Sequence, residues 1–415
     1  MQSLFTASQF FNIFLIALVL HTLVELYLNF RQFRYVKKNS KTVPQYFQEE
    51  ITLQEHTKAA SYSIAKLKLS SVELLWGVAI LLFWTKAGGL AILNQYFALS
   101  ATSAWYLSVL MILSFVGLNI ILSLPFSLFK TFSLEEKFGF NKTTLKTFCL
   151  DFFKQLFLLS LIGFPLIALI LWLLQSMGTY AWVYTWLFWV SFMVLMQWAY
   201  PVILAPLFNT FTPLEDEKLK TVILNLLKRC GFNGGGVFLM DGSKRSSHGN
   251  AYLSGLGSKK RIVFFDTLLK QLNTSEIESV LAHELGHFHH KHIQKFLLRY
   301  VAISFVAFFI LGQLLNAAWF HQGLGVEGTF IWNFLILFSL SLSVFTFWLA
   351  PFSNLSSRKN EFEADQFAKE KASASDLKTA LLKLSKDNAA TLTPDSWYAT
   401  YHYSHPDIVT RINHL

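Results

Sequence analysis

QLFLLSLIGFPLIALILWLLQSMGTYAWVYTWLFWVSFMVLMQWAYPVILAPLFNTFTPL, residues 155–214, is a run of 60 residues without one Asp, Glu, Lys or Arg. A helix crossing the hydrocarbon core of a bilayer needs about 20 mainly apolar residues. The run therefore holds two spans, and Ser176-Met177-Gly178-Thr179 is the turn between them, because Gly breaks a helical run. A second uncharged stretch of 43 residues runs from Ala87 to Phe129. Its second half, Trp105–Phe129, reads as a span. Its first half, with Gly88-Gly89, Asn94 and Gln95, reads as an external, interfacial loop. Ser8–Phe30, Leu67–Trp84, Phe296–Phe320 and Phe330–Phe352 are further spans, which makes seven.

The 415-residue composition agrees: 53% of residues are hydrophobic and only 14% charged, against about 25% charged in soluble domains. Mean hydropathy is +0.42. Such a chain is not disordered, since disorder needs low hydrophobicity and high charge. Two cysteines, Cys149 and Cys230, are too few for a disulfide scaffold and fit a reducing compartment.

The net charge of +10 is distributed by loop. Residues 31–66 carry seven Lys/Arg, the next loop one (Lys86), 130–154 five, 176–180 none, 208–295 twelve, 316–330 none, and the tail from Ser353 eight. Cytoplasmic loops hold the excess of Lys and Arg, so the N-terminus is expected outside and the C-terminus inside. The positive charge then belongs to one membrane face and not to a nucleic-acid groove. The first apolar stretch lacks a basic n-region and a small-residue cleavage site, so no cleavable signal peptide is expected. The expected organisation is five spans with their loops over 1–207, a cytoplasmic piece over 208–295, two spans over 296–352 and a second cytoplasmic piece over 353–415. Each cytoplasmic piece is too small to hold much of a core alone, so the two are expected to fold together.

His283-Glu284-Leu285-Gly286-His287 is an H-E-x-x-H motif. Ser275-x-x-Glu278 is a capping box that can start a helix before it. Ile277, Val280, Leu281 and Leu285 give that helix an apolar face. His283 and His287 are then one turn apart on one side, which suits two imidazoles on a single zinc, with Glu284 beside them as a general base. A His-rich helix end at a membrane surface is the plainer reading, because His289, His290 and His292 follow at once. A catalytic zinc takes three protein ligands and keeps one position open. Asn360–Ala368 reads as helix, with Glu361 and Asp365 on one face and Glu363 elsewhere. A Glu ligand followed one turn later by an Asp that orients a ligating His fits that spacing; an acidic, solvated helix fits it equally well. Asn250-Ala251-Tyr252, a loop at Gly255 and Gly257 and the strand Arg261–Phe265 read as a hairpin.

The chain resembles the type I CAAX prenyl proteases, which are integral-membrane zinc metalloproteases. The resemblance rests on blocks in one order: Leu124–Ser127, Glu135–Asn141, Ala205–Asn209, Phe211–Leu214, Ser247–Tyr252, Lys260–Leu268, the H-E-x-x-H helix, Glu361–Asp365 and Tyr403-Ser404-His405-Pro406. It implies an α-helical polytopic membrane protein in which seven transmembrane helices enclose a chamber, closed on the cytoplasmic side by a small α+β zincin-type domain. It implies His283, His287 and Glu361 as ligands of one Zn²⁺, Glu284 as general base, and Asp365 and Arg411 as supports behind the ligands. His405 matches a residue that reaches back to stabilise the oxyanion, and Asn250, Ala251 and Tyr252 match a substrate-pairing edge strand. The expected partners are the lipid bilayer and a protein or peptide substrate, with or without a lipidated C-terminal tail; no nucleic acid is expected. The short segment between the last two spans, and a C-terminus without a dilysine-type signal, make a bacterial inner membrane the expected location rather than the endoplasmic reticulum. Two other functions fit parts of the sequence: a membrane quality-control protease with no prenyl requirement, and a metal transporter or sensor using His283–His292.

Overall fold

The computed structural model describes residues 6–97, 104–232, 236–254 and 261–415. Among these, seven helices are long and apolar enough to cross a membrane. Helix α1 (Ala7–Asn39) starts at a reciprocal cap between Thr6 and Gln9, and α2 (Leu53–Trp84) at one between Thr52 and Glu55. Helix α3 (Trp105–Phe129) continues through a π-helical turn, Lys130–Glu135, just past Pro125. Gly139, at φ +81°, ends that run, because the left-handed region suits a residue without Cβ. Helices α4 (Leu145–Ser176) and α5 (Ala181–Ala199) meet at Gly178, φ +58°, within the turn that the sequence marks.

Phe14, Trp84, Val109, Met111, Phe320, Phe334 and Leu337 pack as one core between these helices. Leu23, Phe157, Leu161, Trp172, Leu195 and Ile303 instead point outward and are exposed. Apolar side chains in that number would be costly in water and are at home in lipid. The fold is that of a helical, multi-pass membrane protein carrying a small α+β domain. Two loops carry more structure than the sequence shows. The stretch before α3 contains the helix Gly89–Tyr96, whose Leu90 and Leu93 join the core. The expected span Phe296–Phe320 ends at Leu314, and its last residues belong to the short helix Ala318–Gly323, whose Phe320 joins the core too.

The remaining residues form a four-stranded sheet with helices on it. β1 (Phe211–Pro213) pairs antiparallel with β2 (Val237–Met240), β2 pairs parallel with β4 (Arg261–Phe265), and β4 pairs antiparallel with β3 (Ala251–Ser254). The order β1-β2-β4-β3 leaves β3 at an edge. The expected loop at Gly255 and Gly257 lies outside the described residues. Helices α6 (Glu217–Arg229) and α7 (Thr274–His289) precede the sixth span, α8 (His292–Leu314). The chain then runs through α9 (Ile331–Thr346), α10 (Ala350–Lys371), α11 (Ala374–Asp387), α12 (Ser396–His402) and α13 (Ile408–His414). One core joins Ile223, Phe264 and Leu281, which precede the last two spans, to Phe367, Leu377 and Ala380, which follow them.

The cap of α7 corrects the sequence reading. Asn273, not Ser275, is the N-cap, and Glu276, not Glu278, closes the box. The Asn273 side chain accepts from the Glu276 amide at 3.0 Å, and Glu276 accepts from the Asn273 amide at 2.8 Å. An Asn cap is as good an acceptor as a Ser cap, and Glu276 is further held by Lys383 at 2.7 Å. Glu278 faces outward and pairs with Arg229.

Candidate metal centre

Helix α7 places His283 and His287 one turn apart, and α10 brings Glu361 against them. The contact between the two helices is backbone-close because of Gly286. A Cβ there would lie 2.9 Å from Ala364 Cα and 3.0 Å from Ala364 O. Gly286 thus sets the separation of the helices, and with it the distance from Glu361 to the imidazoles. Nε2 of His283 and Nε2 of His287 are 3.2 Å apart. Glu361 Oε2 is 3.5 Å from the first and Oε1 is 3.3 Å from the second. Ligand atoms of these three residues all fall within 4.8 Å of one another.

The hydrogen bonds behind the triad fix which ring nitrogens carry protons. His283 Nδ1–H donates to Asp365 Oδ1 at 2.8 Å. Arg411 holds Asp365 through Nε at 2.9 Å and Nη2 at 2.5 Å, a bidentate pair that is wholly buried. His287 Nδ1 lies 2.9 Å from His292 Nδ1, and His292 Nε2 lies 3.0 Å from Glu363 Oε2. The carboxylate only accepts, so His292 donates from Nε2 and accepts on Nδ1, and His287 donates from Nδ1. Both Nε2 atoms are then left with lone pairs aimed at one point. Two lone pairs at that distance repel unless a cation or a proton lies between them. Burial lowers the pKa of His283, but Asp365 and Glu361 outweigh it and raise the group to about 9. Glu361 Oε2 is buried and has no aligned hydrogen-bond donor among the described residues, with His405 Nδ1 2.8 Å away. Two imidazole lone pairs and an unsatisfied buried carboxylate oxygen are the donor set that a divalent cation such as zinc takes.

Glu284, half-buried on α7, makes no hydrogen bond or ion pair among the described residues, so its carboxylate is open to a ligand. His405 arrives from the segment between α12 and α13. Helix α10 holds that segment: Arg358 Nη1 donates to the carbonyl of Tyr403 at 2.7 Å and Asn354 Nδ2 to that of Tyr401 at 2.5 Å. One helix therefore carries Glu361 and Asp365 and also ties down the turn that carries His405. Asn250 lies at the start of edge strand β3; its carbonyl accepts from the Phe265 amide at 3.0 Å and its Oδ1 from the Ala251 amide at 2.8 Å. Ala251 and Tyr252 pair with Phe264 and Val263, so only one side of β3 is paired among the described residues.

The structure thus brings together His283, Glu284, His287, Glu361, Asp365, His405 and Arg411. It adds His292 and Glu363, which sequence reasoning left out. Glu363 is two residues from Glu361 and so points to a different side of α10, and its partner on α8 is not visible from periodicity. The helix break at Lys291, φ +56°, turns His292 back onto His287.

Residues 213–415 match the family described as Peptidase family M48, and residues 32–210 match the family described as CAAX prenyl protease N-terminal, five membrane helices. A rice (Oryza sativa subsp. japonica) protein named CAAX prenyl protease 1 homolog is 36% identical over 415 residues, covering 96% of this chain and 95% of the relative. The Saccharomyces cerevisiae CAAX prenyl protease 1 is 35% identical, covering 94% and 92%. The crystal structure of S. mikatae Ste24p superposes with a TM-score of 0.91 at 32% identity, covering 100% of both chains.

Proposed function

The chain belongs to peptidase family M48, in the group with the CAAX prenyl protease membrane region, and from that premise we propose that it is a zinc endopeptidase cutting near the C-terminus of CAAX-type protein or peptide substrates, lipidated tails included. One observation carries the reading: His283, His287 and Glu361 converge on one point, while Glu284 beside them makes no hydrogen bond or ion pair among the described residues. His283, His287 and Glu361 would hold the ion. When bound, zinc supplies Lewis-acid polarisation of a water and of the scissile carbonyl.

The chain's own residues do the rest. Glu284 takes a proton from the attacking water on its free carboxylate and delivers it to the leaving amine. His405 donates a hydrogen bond to the oxygen on which negative charge develops. Asp365, clamped by Arg411, keeps the His283 proton on Nδ1, and His292 does the same for His287. The open edge of β3, with Asn250, Ala251 and Tyr252, pairs with an extended peptide.

We place this site on the cytoplasmic face. The Lys/Arg-rich loops meet the peptidase domain: Glu55 pairs with Lys386 at 3.0 Å, Asp151 with Arg245 at 2.8 Å, and Arg31 with Asp395 at 2.9 Å. Loops so joined lie on one face, and the excess of Lys and Arg makes it the inner one. The expectation of a bacterial inner membrane rests on the sequence alone, while the relatives named above are eukaryotic.

The test is cleavage of a quenched fluorescent peptide, with and without a farnesyl group on its cysteine, by protein purified in detergent. Preference for the farnesylated peptide supports the CAAX-type substrate. Equal cleavage of both sets it aside in favour of a quality-control protease, and no cleavage by zinc-loaded protein removes the peptidase reading.

A further inference from the structure

Arg245, Ser246, Ser247 and His248 lead into Asn250 and the edge strand β3, and residues of the membrane region grip all four. Arg245 forks onto Asp151 of α4 through Nε at 2.8 Å and Nη2 at 3.1 Å. It also donates to Asn209 Oδ1 at 2.9 Å and to the carbonyl of Phe208 at 2.7 Å, where the fifth span ends. Its own carbonyl accepts from the Lys142 amide and from the Thr143 hydroxyl, both at 3.1 Å. Ser246 faces Asn141 in an isolated antiparallel bridge, and the Ser247 amide donates to the carbonyl of Phe140 at 3.2 Å. The His248 ring stacks on that of Phe140 with centroids 4.6 Å apart, and its Nδ1 lies 2.9 Å from Asn388 Oδ1. The gripping segment is itself built in place. It follows the π-helical turn Lys130–Glu135, whose last carbonyl accepts from the Phe140 amide at 2.9 Å; π-helical turns are rare and occur frequently at functional sites. Ala389 is buried with Tyr62, Leu134 and Phe140 and sits at φ +45°. A non-glycine residue held in that region is strained and persists only where its surroundings over-determine it.

Past these four residues the chain has little slack. The His248 carbonyl accepts from the Thr267 hydroxyl at 2.9 Å, and a Cβ on Gly249 would lie 3.4 Å from Leu268 Cα. The Asn250 carbonyl accepts from the Phe265 amide at 3.0 Å. Ala251, next along, packs against the core that holds Leu281 and Leu285 of α7, the helix of His283 and His287. The start of β3 is therefore tied to the membrane region on one side and to the metal-bearing helix on the other. A strand held at two such anchors can place a peptide on its open edge to within the small tolerance that catalysis demands.

We propose that Arg245 and His248 are positioning residues that moor the start of β3 to the membrane region, so that the membrane helices set where an extended substrate lies beside the metal centre. The inference rests on the reading, given above, that the open edge of β3 pairs with the substrate backbone, and it names the groups that place that edge. Both residues act through β3 and not on the reacting atoms.

The experiment uses two quenched fluorescent farnesyl-cysteine peptides with the zinc-loaded full chain. One has ordinary amides; the other is N-methylated at alternate amides, which blocks strand pairing. The wild type is expected to prefer the first by about 10-fold in kcat/KM, the range of one or two backbone hydrogen bonds. His248→Ala, and Asp151→Ala acting on Arg245 from the membrane side, should bring the ratio near one, mostly through KM, while each keeps one zinc per chain. His248→Phe, which retains the ring on Phe140, should restore most of the preference. If His248→Ala does not fold, Asp151→Ala and Phe140→Leu test the same mooring without touching the peptidase domain. A wild-type ratio in the zinc-loaded variants overturns the assignment while leaving the peptidase intact. An equal loss on both peptides, with zinc content falling in parallel, overturns it as well, because the contacts are then purely structural. Equal cleavage of both peptides by the wild type removes the pairing of β3 with substrate and this inference with it, and cleavage of neither removes the peptidase reading itself.

Discussion

His287 shows how much of a metal centre lies outside its motif. The H-E-x-x-H spacing names the residue, but its ring is aimed by His292 and Glu363 from two other helices. Partners of this kind are worth about 10- to 100-fold in metal affinity. His292→Ala and Glu363→Ala should each weaken zinc binding by about that factor in a chelator competition, whereas substitution of exposed Lys359 should not. Unchanged affinity in both variants would reduce the chain of bonds to a surface feature. Glu284 is distinct in the proposed mechanism, where it would carry chemistry and not the ion. Glu284→Gln should lower kcat by about 10²- to 10⁴-fold and keep one zinc per chain by metal analysis; loss of the zinc would make Glu284 a ligand.

Helices α7 and α10 meet at Gly286 and Ala364, and that contact sets the site's dimensions. Gly286→Ala pushes a Cβ into backbone that cannot rotate away. Overpacking costs about 1–3 kcal/mol, so thermal unfolding in detergent should fall and zinc affinity with it. A variant as stable and as zinc-avid as the wild type would mean that the helices separate freely. The elements themselves were largely legible. Uncharged runs mark the spans because each must satisfy its backbone internally in lipid. The turn at Gly178 and the two strands around Tyr252 and Ile262, which Gly255 and Gly257 separate in the sequence, follow from Gly placement. The start of α7 lies two residues before the expected one, because Asn273 and Ser275 are both competent caps and the Lys383 contact to Glu276 favours the first. The helices Gly89–Tyr96 and Ala318–Gly323 were missed because they are too short to show a period; they form by burying Leu90, Leu93 and Phe320 against distant helices.

Across the whole molecule, the C-terminal segment is tied to the first helix. Arg31 forks onto Asp395 through Nε at 3.1 Å and Nη2 at 2.9 Å, and Gln32 accepts from the Asp395 amide at 2.7 Å. Burial opposes charge on Asp395, but Arg31 and the amides of Tyr398 and Trp397 outweigh it and lower its pKa. A carboxyl lowered in the folded state contributes stability that is present above its unfolded value, about 3.9, and is lost as pH falls through the lower folded value. Asp395→Asn should therefore be less stable than the wild type at pH 7, and the gap should close below about pH 4; a gap that is constant with pH would assign the effect to packing alone. Nothing in the sequence pairs Arg31 with a residue so far along the chain, and the same holds for the Arg411–Asp365 clamp. Such contacts depend on how the spans return the chain to one face.

The most direct measurement is hydrolysis of a farnesyl-cysteine peptide by the purified chain, read together with its metal content. A zinc peptidase built on His283, His287 and Glu361 gives one zinc per chain, cleavage that a chelator abolishes and added zinc restores, and a Glu284→Gln variant that keeps the metal and does not cut. Cleavage that persists in Glu284→Gln, or after complete removal of the metal, would contradict it.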